Sequence, residues 1–133
     1  MFEGLNLKAG GNIAPSRFIK VSAANTATQC SAGTDYAIGV SFESIEDPLG
    51  QVGSSVYHRT SSSKPGVGFY PAGRKCLVEA GNSFSAGAAL MPDSVGRGIT
   101  ATSTNLGCAI ALEQATAAGQ LIPVLVIAPY RLA

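Results

Sequence analysis

Residues 121–127 have the sequence Leu-Ile-Pro-Val-Leu-Val-Ile, and this run decides the fold class. Every side chain in it is apolar, and valine and isoleucine favour extended backbone. Seven residues are far fewer than the roughly 20 apolar residues that a membrane-spanning helix needs. Because Pro123 has no N–H to donate to a neighbouring strand, it predicts a sheet edge or a bulge. The run therefore predicts a β-strand that is apolar on both faces.

An apolar strand of this kind would cause aggregation if it were left exposed at an edge, so it needs a cover. Two covers are equally consistent with the sequence. One is another subunit or a larger assembly, and the other is the interior of a closed barrel with Pro123 at a bulge. In the first case, the side chains that make the contact are Leu121, Ile122, Val124 and Val126.

Working outward from this run, other segments also have strand character. They alternate apolar with small or polar residues, or they are rich in β-branched and aromatic residues. These segments are 17–22, 36–43, 75–80, 88–91, 97–102 and 108–113. Residues 88–91 and 97–102 flank the turn sequence Pro92-Asp-Ser-Val-Gly96, which predicts a hairpin.

Helix is almost absent from this pattern. Residues 112–118 contain good helix formers, but Gly119 limits them to a short helical turn at most. An Ala-Gly pair precedes a strand-like segment three times, with its glycine at Gly33, Gly87 and Gly119. Glycine adopts positive φ without cost, so these positions predict turns. The chain is thus predicted to be all-β, either a small β-barrel or a β-sandwich.

Size and composition restrict the classes of function. A chain of 133 residues fits one domain, here residues 15–133. Charged residues make up 13% and the net charge is +1, with no Lys/Arg run, so no nucleic-acid partner is expected. The N-terminal residues have neither the basic nor the apolar region of a secretory signal, and no membrane partner is expected. Alanine, glycine, serine and threonine make up 58 residues, which favours stabilisation by backbone pairing and by neighbouring molecules.

The chemistry-bearing residues are few. The cysteines Cys30, Cys76 and Cys108 are isolated in sequence, which favours buried small apolar side chains over a zinc site or a redox pair. The sole histidine, His58, has serines and Asp47 nearby, but no G-x-S-x-G sequence accompanies it. We therefore expect no enzyme activity, no catalytic residues, no metal and no cofactor.

Five stretches carry a resemblance to a known family. They are Gly33-Thr-Asp-Tyr-Ala-Ile-Gly-Val40, Glu79-Ala-Gly-Asn-Ser-Phe-Ser-Ala-Gly87, Ala89-Leu-Met-Pro-Asp-Ser-Val-Gly-Arg-Gly-Ile-Thr100, residues 107–113 and residues 118–126. Over roughly residues 21–127, the chain resembles the head-decoration or capsid cement proteins of tailed bacteriophages. The resemblance implies a virion protein, made in the host cytoplasm, that binds the outer surface of the capsid and stabilises the shell. Its implied partners are the major capsid protein and further copies of itself, most often as a homotrimer.

The same resemblance implies an extended N-terminal arm that pairs with strands of the capsid. Here the arm corresponds to residues 1–14, in which Phe2, Leu5 and Leu7 alternate with polar or small neighbours as an added strand requires. The polar residues 44–66 form a long loop or an insertion, since plainer members of the family lack residues 44–64.

Two alternative functions belong to other classes. The first is a carbohydrate- or cell-surface-binding β module of a phage or bacterium, with a groove lined by Tyr57 and Tyr70. The second, which the sequence supports least, is a small hydrolase that uses His58.

Overall fold

The computed structural model describes residues 8–9, 13–24, 26–41, 69–102 and 105–131, with Lys8–Ala9 as backbone. These residues form strands and turns without any helix. The strands are β1 (Lys8–Ala9), β2 (Phe18–Ala23), β3 (Thr26–Gln29), β4 (Gly39–Ser41), β5 (Phe69–Pro71), β6 (Lys75–Glu79), β7 (Ala89–Pro92), β8 (Gly98–Thr100), β9 (Leu106–Ala111) and β10 (Leu121–Arg131). The all-β prediction is confirmed.

The strands form two five-stranded sheets. Sheet A has the order β1-β3-β2-β4-β5, and sheet B has the order β6-β10-β9-β7-β8. All neighbouring strands are antiparallel except β1, which pairs in parallel with β3 over two residues. An isolated bridge between Ala80 and Gly98 brings the end of β6 beside β8, but no ladder closes either sheet. Of the two predicted architectures, the structure has the sandwich.

Strand β10 lies inside sheet B, which corrects the expectation that Pro123 marks an edge or a bulge. It pairs with β6 from Leu121 to Leu125 and with β9 from Val124 onward. The Leu112 N–H donates to the Pro123 carbonyl at 2.9 Å. In a strand, the nitrogen and the carbonyl of one residue point toward the same neighbouring strand. The nitrogen of Pro123 therefore also points toward Leu112, which is one residue beyond the end of β9. The strand therefore accommodates proline without losing a ladder bond within β9.

A bulge does occur in β10, but farther along the strand. The register between β10 and β9 shifts between Val126 and Tyr130. Pro129 lies in this irregular stretch, which is where a residue without an N–H is tolerated.

The main hydrophobic core lies between the sheets. Phe18 and Val40 of sheet A, both fully buried, belong to the same cluster as Val78, Leu90 and Val124 of sheet B. Ile19, the neighbour of Phe18 on β2, packs on the other side of sheet A with Ile13 and Ala27. Sheet A therefore has buried side chains on both of its faces, because successive strand residues point in opposite directions.

An ion-pair network also joins the sheets. Arg17, just before β2, contacts Glu79 on β6 at 2.8 Å, and its guanidinium also donates to the Val95 carbonyl. Arg97 lies 3.9 Å from Glu79 and 3.0 Å from Asp93. These side chains are partly buried, so the network fixes one end of β6 against sheet A.

The described part of the predicted N-terminal arm belongs to the β domain. Ile13 is fully buried. The Ala14 N–H donates to Gln29 Oε1 at 3.0 Å, and Ser41 Oγ donates to the Ala14 carbonyl at 2.8 Å. Ile13 and Ala14 thus contact sheet A, while the predicted division into an arm and a domain stays a prediction. Phe2, Leu5 and Leu7, and the predicted loop 44–66, lie outside the described residues.

The turns follow the Ala-Gly pattern at two of three positions. Gly87 and Gly119 have φ angles of 86° and 96°, in the left-handed region, whereas Gly33 does not adopt positive φ. The short helical turn allowed at residues 112–118 does not form. That segment is an irregular loop with a single β-bridge at Ala115.

Candidate functional site

The two faces of β10 have different surroundings. Ile122, Val124 and Val126 are 5%, 0% and 2% exposed and belong to the main core. These are three of the four residues predicted to contact another subunit or the capsid. Because the core of the same chain takes them up, they are not available on the surface, and this part of the prediction is corrected.

Leu121, the fourth predicted contact residue, lies on the opposite face and is 53% exposed. Pro123 and Leu125 follow it on this outer face and are half-buried. Side chains of directly opposed residues lie on the same face of a sheet. Leu125 is opposite Ile110 of β9, and Pro123 is bonded to Leu112, which is 43% exposed.

We call this set the outer apolar patch: Ile110, Leu112, Leu121, Pro123 and Leu125. It spans two neighbouring strands and the start of a loop, with no charged side chain among its members. Contiguous exposed apolar surface of this kind marks interaction sites in soluble proteins. Burying it against another protein gains about 25 cal/mol for each Å² of apolar surface removed from water.

Charged residues lie beside the patch on β6. Lys75 is opposite Leu125 and is exposed, while Glu79 is opposite Leu121. The Glu79 carboxylate is held by Arg17 and Arg97 as described above, so it is already neutralised by the chain itself. An approaching partner therefore meets an apolar surface with the exposed Lys75 at its β6 side and the exposed Glu113 next to Leu112.

Of the residues named for the alternative functions, the structure describes only Tyr70. Tyr70 lies in β5 opposite Val40 and packs half-buried against the main core, not along a groove. Tyr57, His58 and Asp47 lie outside the described residues. Among the residues that are described, no group of three or more His, Cys, Asp or Glu side chains could hold a metal ion.

All three cysteines are buried and free. Burial raises the pKa of the Cys30 thiol to about 12, with a further increase from the Asp35 carboxylate. Burial also raises the pKa of Cys108, whose Sγ lies 3.6 Å from the Leu90 carbonyl. Thiols held in the protonated form are poor nucleophiles, so they act as core side chains.

Asp35 organises the turn after β3. Burial alone would raise the pKa of its carboxyl, but the Ser31 and Ala32 N–H groups and the Lys20 ammonium together lower it. These three donors lie 2.8, 3.1 and 3.1 Å from Asp35 Oδ2. The turn is a structural feature, since the Leu106 N–H donates to the Gly33 carbonyl and so ties it to β9.

Sequence reasoning identified Leu121 but missed the other members of the outer apolar patch. The signal was present, because Ile110 and Leu112 alternate with small residues. What the sequence could not supply was the register that places them beside β10.

In the described ranges, no helix has the length and apolar character needed to cross a membrane.

Neither the known protein-family models nor the curated proteins include a match to the chain. Among solved structures, it is similar to the head fiber gp8.5 N base of bacteriophage phi29, with a TM-score of 0.57 and 16% sequence identity. The match covers 91% of this chain and 90% of the other. At this identity, what the two proteins are shown to share is their fold, over almost their whole length.

Proposed function

We propose that the chain is a structural protein of a phage virion that binds the outer surface of the capsid and stabilises the shell. One observation carries the proposal: nearly all of the chain has the fold of the base of a phage head fiber. The resemblance of its turn and strand sequences to capsid cement proteins supports the same assignment. In this function the protein contributes surface and rigidity, and no reaction is involved.

The outer apolar patch is the surface we propose for contact with the major capsid protein. Its members are exposed or half-buried in the single chain, and the chain has a net charge of only +1. Neither partner therefore needs long-range electrostatic attraction. Weak contacts suffice when many copies bind one ordered lattice, because neighbouring contacts are made at high effective concentration.

The test is cosedimentation of the purified protein with heads assembled without it, from the phage whose genome encodes the chain. We expect saturable binding to expanded heads. Heads that have bound the protein should resist heat or chelators better than heads without it. Absence of binding to both expanded and unexpanded heads would refute the proposal.

The patch is tested separately by Leu121→Lys, which we expect to weaken head binding at least tenfold. Val21→Lys is the matched control, because Val21 is 51% exposed on a strand of sheet A. If both variants lost head binding equally, the patch would not be the contact surface, although the protein would still be a head-binding protein.

The N-terminal arm is a further part of the proposal. Lys8–Ala9 already pair within sheet A, so the informative deletion is residues 1–7, which contain Phe2, Leu5 and Leu7. We expect this deletion to leave the thermal transition unchanged and to weaken head binding. Unchanged binding would exclude the arm as a capsid contact.

Self-association completes the proposal, with a homotrimer as the expected form. Light-scattering mass of the purified protein at several concentrations tests it. A monomer mass at all concentrations would restrict any trimer to the capsid surface.

A further inference from the structure

A groove opens at one end of sheet B, between the loop from β6 to β7 and the loop from β9 to β10. We call it the loop groove. It is an open depression of about 610 Å³ whose polar lining residues are exposed. The two loops are joined by reciprocal backbone bonds between Phe84 and Ala115, at 3.0 and 2.9 Å. Main-chain pairing therefore fixes the two loops beside each other at this point.

The lining of the groove is polar and uncharged. Ser83, Ser85, Thr100 and Gln114 line it, and no charged residue does. Phe84, which is 8% exposed and belongs to the main core, contributes an apolar surface together with small side chains. A charged ligand would lose hydration here without gaining an opposite charge, so the lining selects against ions.

The polar side chains are available to a ligand. Over the residues that the structure describes, Ser83, Ser85, Thr100 and Gln114 make no hydrogen bond through their side chains. By contrast, Thr116, which also lines the groove, accepts a hydrogen bond from Gln120 Nε2 at 3.1 Å. Four side chains that can each donate and accept are thus grouped around one groove.

The backbone at the bridge between the two loops, in turn, is not available to a ligand. The N–H and carbonyl groups of Phe84 and Ala115 are already bonded to each other. A peptide could not add here as a strand, because strand addition requires free backbone donors and acceptors. The lining residues therefore offer hydroxyl and amide groups and no charge, and the backbone at the Phe84–Ala115 bridge is already paired.

From this combination, we propose that the loop groove binds a neutral carbohydrate. Sugar hydroxyls donate and accept hydrogen bonds as the serine, threonine and glutamine side chains do. The C–H surface of a sugar ring can pack against Ala88 and against the small part of Phe84 that remains exposed. Ala88 packs against the core and Thr100 is opposite the buried Leu90, so the groove lies on the core side of sheet B. The groove therefore lies on the other face of sheet B from Leu121 and Leu125, and its test does not involve phage heads.

The first experiment is a screen of the full chain on an array of neutral and acidic bacterial cell-surface oligosaccharides. We expect binding to neutral glycans, followed by amide chemical-shift changes at residues 83–88, 100 and 114–116 when the best neutral hit is titrated. No binding on the array, binding restricted to acidic glycans, or shift changes elsewhere would overturn the proposal.

The second experiment uses variants at exposed positions, where folding is not at risk. Gln114→Ala should weaken binding of the same glycan about fivefold, which corresponds to the loss of about one hydrogen bond. Ser85→Trp should abolish binding by filling the groove. Ser94→Ala, in the exposed turn between β7 and β8, is the matched control and should bind as the unaltered chain does. Equal binding by all variants would refute the site, and so would equal loss, provided that thermal transitions show all of them folded.

Discussion

The inner and outer faces of β10 are chemically alike but lie in different environments. Ile122, Val124 and Val126 on the inner face are almost fully buried. Leu121, Pro123 and Leu125 on the outer face are equally apolar, yet they are exposed or half-buried. The difference is that Phe18 and Val40 of sheet A cover the inner face. A run of apolar residues thus indicates two surfaces that require a cover, and only tertiary packing determines which of them the chain itself provides.

The largest expected difference between the faces is in thiol reactivity. At pH 8 the Cys30 thiol stays protonated, because burial raises its pKa to about 12. An ordinary cysteine, with a pKa of about 8.5, is about one quarter thiolate at that pH. Iodoacetamide should therefore leave the native thiols unmodified, whereas a Leu121→Cys variant should acquire one label within minutes.

Mass spectrometry before and after unfolding in urea checks this prediction. The unaltered chain should take up three labels only in urea, and the variant should take up one in buffer and four in urea. Rapid labelling of Cys30 or Cys108 in buffer would show that the inner face opens readily.

The next largest effect is expected from a charge on the inner face. Val124→Lys places an ammonium group in a fully buried position without a partner, which should cost about 3–5 kcal/mol in free energy of unfolding. Urea unfolding followed by circular dichroism measures this, with Val124→Ala as the variant that removes only methyl groups. If the free energy of unfolding of Val124→Lys were as high as that of Val124→Ala, the inner face would not be part of the hydrophobic core.

A smaller effect on stability is expected from the turn at residues 31–35, which connects sheet A to β9 of sheet B. Asp35→Asn removes the charge that binds Lys20 and the two backbone N–H groups, and should cost about 1–2 kcal/mol at pH 7. The folded-state pKa of Asp35 is lowered, so its stabilisation is complete above the unfolded-state value of about 3.9. The stabilisation is lost as pH falls through the lower folded-state pKa.

The pH dependence provides the check on this prediction. The difference in urea midpoint between the unaltered chain and Asp35→Asn should be constant from pH 7 to pH 5 and should narrow below about pH 4. A difference that does not depend on pH would assign the effect to packing and not to the carboxylate charge.

The strands that the sequence predicts are those with apolar alternation or β-branched runs. The segment 75–80 corresponds to β6, and the predicted hairpin corresponds to β7 and β8 around residues 93–97. By contrast, Thr26–Gln29 became β3 although its residues are small and polar, because β2 provides the pairing partner. Strand formation there depends on a neighbour that is not evident from the local sequence.

The candidate site was less predictable than the strands. Pro123 suggested an edge because proline lacks a donor, but the ladder of β9 ends beside it and no donor is needed. That conclusion requires the register of two strands whose partners are far apart in sequence. The loop groove likewise depends on a single bridge between residues 84 and 115, which no sequence pattern indicated.

The smallest effect on stability is expected on the outer face, from a change to lysine like the one that is severe on the inner face. Leu121→Lys changes a side chain that is 53% exposed and lies opposite Glu79, so the free energy of unfolding should change by no more than about 0.5 kcal/mol. Urea unfolding measures this alongside Val124→Lys. A loss above about 1.5 kcal/mol would mean that the chain itself covers this face, and the outer apolar patch would then belong to the core. An unchanged midpoint leaves the patch as apolar surface that the folded chain does not need for its own stability, which is what a surface for a partner requires.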